Sequence, residues 1–376
     1  MPFTLLHEDA DTDARLGRLD TDHGVVETPV FMPVGTLGSV KAVEQRELAA
    51  DVRAQIILGN TYHLCLRPGT EVLEAAGGLH RFIGWDRPLL TDSGGYQVFS
   101  LADRRTLSEE GVRFQSHLDG SAHLFTPESV VDTQRSIGSD VMMVLDECPA
   151  ADVDEAYART SNDLTVRWAK RCQDRHRETG GLYGHHQMLF AIVQGVTYPA
   201  VRRESARQLV ELDFEGYAIG GLSVGEAAPV MYEMVEVVTA LLPRQKPRYL
   251  MGVGTPANLL ENIARGVDMF DCVMPTRNGR NGTLFTTEGV VNIKNAQWKT
   301  HFAPVDPGLD GYASQAFTKA YLRHLILSGE VLGLQIASLQ NLSLYTWLMR
   351  GARTAIRDGR FAAWKAEVLP RVSRRI

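Results

Sequence analysis

Eight short, continuously apolar runs punctuate the chain: VETPVFMPVGT, QIILGNTYHL, PLLTDSGGY, DVMMVLDEC, MLFAIVQGV, GYAIGGLSVGE, RYLMGVGT and DMFDCVMPTR. Unbroken apolar runs of this length are the pattern of strands buried on both faces of a parallel sheet. Helical periodicity fills most of the gaps, in Pro127–Gly138, DVDEAYARTSNDLTVRWAKRCQDRH, PAVRRESARQLVELD, EAAPVMYEMVEVVTALL and TPANLLENIARG. The connections open on Thr, Ser, Pro or Asp, which suit helix N-termini. Eight such units in roughly 250 residues match the arithmetic of a (β/α)8 barrel. A doubly wound open sheet is the alternative. It usually has fewer strands, and its dinucleotide-binding form needs G-x-G-x-x-G after the first strand, which is absent here.

Two segments interrupt the alternation. FSLADRRTLSEEGVRFQSHLDGSAHLFTP predicts a hairpin insertion turning at His117–Asp119–Gly120, and TLFTTEGVVNIKNAQWK predicts another with Glu288–Gly289 at its turn. From Tyr312 onward the pattern is helical. The expected organisation is therefore a barrel with insertions over residues 1–302 and a small, mostly helical subdomain over 303–376.

Composition adds little until it is resolved along the chain. The 376 residues are 44% hydrophobic and 22% charged, which is ordinary for a soluble protein. The N-terminus shows no signal-peptide pattern and no run reaches membrane-span length, so no membrane association is expected. Four scattered cysteines without CxxC spacing suggest free thiols and a cytoplasmic setting. The net charge of −6 hides an asymmetry. Residues 271–376 carry 14 Lys and Arg against 7 Asp and Glu, whereas residues 1–270 carry 25 against 38. A basic final third on an acidic body suggests a localised anionic partner.

In a barrel of this kind, functional residues stand at the C-terminal ends of the strands. Those ends offer Asp92, Asp146 and Asp271, three carboxylates at equivalent depth. Like charges brought that close cannot all keep ordinary pKa values, so one should rise and act as a general acid. Two carboxylates with unequal roles are what cleavage of a glycosidic bond demands. A third, beside Gln194 and the backbone of Gly221 and Leu222, suits the donor edge of a purine. Tyr96, after a flexible Gly94–Gly95, could stack on such a base, and Met251 could cover its other face. Behind Asp271, Pro275 and a polar, glycine-spaced loop carry Arg277 and Arg280, which could hold phosphate. Each aspartate alone could equally be structural.

The motifs TDSGGYQVFSL, LDEC, VQG, GGLSVGE, MGVGTP and FDCVMPTRNGRNG occur in this order. With GNTYHLCLRPG and YLRHL, they resemble those of the tRNA-guanine transglycosylase family over nearly the whole chain. The resemblance implies a (β/α)8 barrel that exchanges guanine at the anticodon wobble position of tRNA with a G-U-N anticodon for a 7-deazaguanine base. It assigns Asp271 as nucleophile on ribose C1′, Asp92 as general acid/base, and Tyr96 as the stacking residue. It assigns Asp146, Gln194, Gly221 and Leu222 to the base edge, Met251 to the pocket wall, and Arg277 and Arg280 to RNA. Cys148 and Val224 resemble the bacterial type, which takes 7-aminomethyl-7-deazaguanine rather than the bulkier queuine. A homodimer through the C-terminal region is implied as well.

The chain departs from the family at a structural zinc site, a C-x-C-x-x-C followed by a His. The matching positions hold Leu309, Gly311, Ser314 and Gln340, none of them a usual zinc ligand. A structural zinc contributes on the order of 10 kcal/mol to a small domain's folding. No zinc or other cofactor is expected, and apolar packing by Leu309, Tyr312, Phe317, Tyr321, Leu322, Leu325 and Leu342 is the expected replacement. Two other readings stay open. A non-catalytic partner subunit would explain the missing ligands, and a barrel glycosidase would explain the paired carboxylates.

Overall fold

The computed structural model describes residues 2–99 and 105–376, without the side chains of residues 98 and 99. All eight apolar runs form strands of one parallel sheet: β1 Val30–Met32, β2 Ile57–Asn60, β3 Leu89–Asp92, β4 Val141–Met143, β5 Met188–Val193, β6 Gly216–Ile219, β7 Arg248–Leu250 and β8 Met269–Asp271. From β2 to β8 each strand pairs with its sequence neighbour, and β8 pairs back onto β1. Closure comes just beyond β1. Leu58 of β2 donates to Pro33 O at 3.0 Å, and Gly35 donates to Leu58 O at 2.7 Å. The sheet is thus a barrel, with helices such as Pro127–Ile137, Glu155–Glu178 and Pro199–Glu211 between the strands. The barrel interior is packed with side chains. In register across β5 and β6, Phe190 faces Gly216, where a Cβ would lie 2.4 Å from its ring.

A three-stranded antiparallel sheet, Phe3–Glu8, Arg15–Thr21 and Gly24–Thr28, precedes the barrel and was not anticipated. Its first strand is mostly exposed and carries a register shift between Leu5 and His7, which blurs the alternation. Arg15 anchors this sheet beneath the barrel. Its Nε and Nη2 donate to the Asp268 carboxylate at 3.0 and 2.8 Å, and both side chains are buried. Asp268 also accepts the Arg248 amide at 2.8 Å, so the pair locks the starts of β7 and β8 together.

The predicted insertion is a three-stranded sheet, Arg105–Leu107, Val112–Gln115 and Ala122–Phe125, with its turn at the expected place. Its opening, residues 100–104, lies outside the described residues. The second hairpin, Thr283–Thr286 with Gly289–Asn292, also forms. One local expectation fails. The stretch carrying Arg277 and Arg280 is a helix, Met274–Arg280, rather than a loop. Pro275 sits in its first turn, where its missing N–H costs nothing. Gly279 serves close packing: a Cβ there would lie 2.8 Å from Ala337 O.

Ala337 belongs to a long helix, Val331–Arg357, that braces the barrel from outside. Asn341 donates to Pro275 O at 2.9 Å and Thr283 O at 3.0 Å, and accepts the Phe285 amide at 2.7 Å. Tyr345 donates to Gly254 O, and Arg353 donates to Pro29 O at 2.8 Å. The segments following β7 and β8 are therefore held by one helix.

The expected apolar replacement for a metal is only partly what occurs. Leu309, Leu322, Leu325 and Leu342 are buried and Phe317 packs against them, but Tyr312 and Tyr321 are 63% and 42% exposed. The space is organised instead by buried polar groups. Ser314 Oγ donates to Gln340 Oε1 at 2.7 Å, and Gln340 Nε2 donates to Phe285 O at 2.9 Å and Asp306 Oδ2 at 3.2 Å. Asp306 accepts the Thr287 amide and hydroxyl at 2.7 and 2.6 Å. A buried network with nearly every member satisfied rigidifies what surrounds it. Gln340→Ala is expected to lower stability by about 1–3 kcal/mol, because Ser314 and Phe285 O lose their buried partner. A urea midpoint equal to that of the unsubstituted protein would show the network to be dispensable.

Candidate active site

The C-terminal ends of the strands surround a cleft of about 530 Å³. Asp92, Tyr96, Asp146, Gln194, Gly221, Leu222, Met251, Asp271 and Arg277 all line it. Arg280 does not; it is half-buried at the end of the short helix, and burial lowers its pKa. Nine of the ten residues expected at the strand ends and the loop behind Asp271 thus meet at one place.

Asp92 closes β3. Its Oδ2 accepts Asn60 Nδ2 at 2.6 Å and Gln97 Nε2 at 3.1 Å, and its Oδ1 accepts the Thr61 amide at 3.1 Å. Burial pushes its carboxyl up to about 7 despite those donors, and the negative charge of Asp271 adds to the rise. Asp271, at the end of β8, is anchored on one oxygen. Tyr249 Oη and the Gly252 amide donate to Oδ1 at 2.6 and 2.8 Å, and among the described residues Oδ2 has no hydrogen-bond partner. Burial raises its pKa too, while Tyr249 and Gly252 oppose the shift. The two carboxylates therefore differ: one is held by amide donors near neutrality, the other has a free oxygen.

Asp146, just past β4, accepts Gln194 Nε2 on Oδ2 at 2.7 Å and Ser93 Oγ on Oδ1 at 3.2 Å. Burial lifts it to about 6. Gln194 Oε1 is buried without a partner among the described residues, so the pair presents an acceptor-rich edge. Three glycines make room for it. A Cβ on Gly95 would fall 2.7 Å from Asp146 Oδ1, on Gly220 2.7 Å from Gln194 Nε2, and on Gly221 2.4 Å from Gln194 Oε1. The Gly94–Gly95 pair is thus required by close approach and by the positive φ of Gly94, not by flexibility; Gly95 already begins a helix, Gly95–Phe99. Tyr96 stands on that helix, 54% exposed at the cleft wall.

Two residues that support this site escaped the sequence reading. Tyr249 lies inside a three-residue strand with nothing local to mark its bond to Asp271. Arg202 is fully buried and donates to Val196 O and Gly220 O at 2.8 Å and to Gly221 O at 3.2 Å, fixing both loops around Gln194. Arg202 did leave a signal: it falls on the buried stripe of its helix with Ser205, Ala206 and Leu209.

A parallel barrel with unequal carboxylates at its strand ends defines an enzyme of the (β/α)8 class, with its chemistry at the C-terminal face. Residues 9–374 match the family model described as queuine tRNA-ribosyltransferase. Among curated proteins, the queuine tRNA-ribosyltransferase of Solidesulfovibrio magneticus is 54% identical over 367 residues, covering 98% of this chain and 97% of that one. Those of Caldanaerobacter subterraneus and Desulfosudis oleivorans are 52% and 55% identical, covering 98% and 94% of this chain and 96% and 92% of theirs. The chain belongs to the queuine tRNA-ribosyltransferase family.

The raised Asp146 carboxyl makes stability depend on pH. Its neutral form is favoured in the fold, so its contribution is complete below about pH 4 and is lost as pH rises through about 6. Asp146→Asn with Gln194 flipped preserves the hydrogen bond without the charge. At pH 8 this variant is expected to be more stable by up to about 3 kcal/mol, and the gain should vanish towards pH 4. Thermal unfolding at both pH values checks this, and a variant less stable at pH 8 would contradict it.

Proposed function

We propose that this protein exchanges guanine at the wobble position of tRNA bearing a G-U-N anticodon for 7-aminomethyl-7-deazaguanine. The observation that carries the reading is the inequality of Asp271 and Asp92 across one cleft, beside the acceptor edge of Asp146 and Gln194. The wobble nucleotide leaves its stack and inserts its base between Tyr96 and Met251. The N–H groups of the guanine edge meet Asp146 and Gln194, with Gly221 and Leu222 completing the pocket. The free oxygen of Asp271 attacks ribose C1′ as the bond to N9 breaks, and neutral Asp92 supplies a proton to the departing base. The incoming base then returns its N9 proton to Asp92 and displaces Asp271, restoring the original configuration. Val224 and Cys148 line the same cleft and favour the small aminomethyl group over a bulkier one.

Residues 1–302 carry the chemistry in this reading. Residues 303–376 serve tRNA docking and homodimer contact, with Arg277 at the cleft rim and Arg280 one turn further along the same helix reaching RNA. The setting is cytoplasmic; no helix among the described residues is long and apolar enough to cross a membrane. The C-terminal subdomain works without zinc. Leu309 and Gly311 offer no side-chain donor, and Ser314 and Gln340 are engaged with each other, so the four residues do not fit that ion.

Incorporation of labelled guanine into unmodified tRNA tests the reading. Asp271→Asn is expected to lose on the order of 10³-fold or more in rate, and robust exchange by this variant would remove the nucleophile assignment. No exchange by either protein would favour a non-catalytic partner subunit. Because Asp92 must be protonated for the first step, kcat/KM should fall above about pH 7. Val224→Gly is expected to admit the bulkier queuine, measured as its uptake into the same tRNA.

A further inference from the structure

At the opposite end of the barrel, where the strands begin, three side chains from distant segments meet. Asp140 immediately precedes β4 and is fully buried. His80 lies on the short helix Leu79–Ile83 between β2 and β3. His23 occupies the two-residue turn of the N-terminal sheet. The donor atoms of the three lie within 4.8 Å of one another. His23 Nδ1 is 2.7 Å from Asp140 Oδ1, and His80 Nε2 is 3.3 Å from Asp140 Oδ2.

We propose that His23, His80 and Asp140 form a binding site for a divalent transition-metal ion of the zinc type.

Three observations carry this. First, the His80 side chain is 9% exposed, yet its Nε2, aimed at the carboxylate, makes no hydrogen bond among the described residues. A buried polar atom without a well-formed hydrogen bond costs free energy and leaves room for a ligand. Second, Asp140 is pinned as a ligand: its Oδ1 faces His23 and its Oδ2 faces His80. Its Oδ2 also accepts the Leu89 amide at 2.8 Å, the kind of outer contact that orients a metal-binding carboxylate. Third, the His23 and His80 rings stack with centroids 3.7 Å apart and planes 11° apart. That arrangement brings both imidazoles to the same carboxylate.

The donor set selects the ion class. Two imidazoles and one carboxylate suit zinc and its neighbours, whereas calcium and magnesium demand oxygen ligands. Tetrahedral bonds of about 2.1 Å would set donor atoms about 3.4 Å apart, with water as fourth ligand. The stacked rings must splay to reach that geometry. His23, 26% exposed on its turn, is free to do so. The ion would tie the turn of the N-terminal sheet to the barrel floor, remote from Asp92 and Asp271.

Titration of the metal-stripped full-length protein with Zn²⁺ against a chromophoric chelator, and with Co²⁺ by visible absorption, tests this. One Zn²⁺ per chain is expected. Its affinity should fall at least tenfold in His80→Ala and in His23→Gln, with loss of the Co²⁺ absorption band. Zn²⁺ should raise the Tm of the unsubstituted protein and not of either variant. His23→Gln changes only a half-exposed turn residue, so it separates loss of binding from loss of fold. Base exchange should be unchanged in it. Affinity unaltered in both variants, binding lost instead in Gln340→Ala, or no stoichiometric binding at all would each overturn the proposal.

Discussion

Burying a carboxylate is unfavourable unless donors or neighbouring charges compensate, and around one cleft this chain buries Asp92 and Asp146 and half-buries Asp271. The rest of the upper barrel is arranged to meet that constraint. Asn60, Thr61 and Gln97 turn their donors to Asp92, Tyr249 and Gly252 to Asp271, and Gln194 and Ser93 to Asp146. Compensation is incomplete by different amounts, which is why Asp92 stands near 7 and Asp146 near 6. Asp271 is raised as well, and it differs from Asp92 in keeping one oxygen without a hydrogen-bond partner among the described residues.

Such a site works only if its supports do not move. The helix Val331–Arg357 supplies rigidity from outside the barrel, through Asn341 and Tyr345 to the segments after β8 and β7. The same helix carries Gln340 into the network with Ser314, Asp306 and Thr287. Polar groups that would destabilise a core if left unpaired here join the last helices to the second hairpin. The same principle operates beneath the barrel, where Arg15 and Asp268 fasten the N-terminal sheet.

Much of this was legible along the chain. Continuous apolar runs marked all eight barrel strands, because parallel strands are buried on both faces. The strand-end rule then placed Asp92, Asp146 and Asp271 together without any knowledge of distances. The N-terminal sheet was missed because its exposed first strand and its bulge break the alternation on which strand recognition depends. The helix Met274–Arg280 was missed because its glycine and proline read locally as a loop. Only packing against Ala337 makes Gly279 an advantage there.

The sequence by itself determined the barrel, the carboxylate set and the family, since these depend on residue type and order along single strands. Tertiary structure decided what each carboxylate is. Tyr249 is 22 positions from Asp271 in the chain, and Gln194 is 48 from Asp146. Gln340 reaches Ser314 across 26 positions, and His23 reaches Asp140 across 117. Hydrogen-bond partners, burial and the pKa values they set are properties of contacts between distant segments, and no local pattern encodes them.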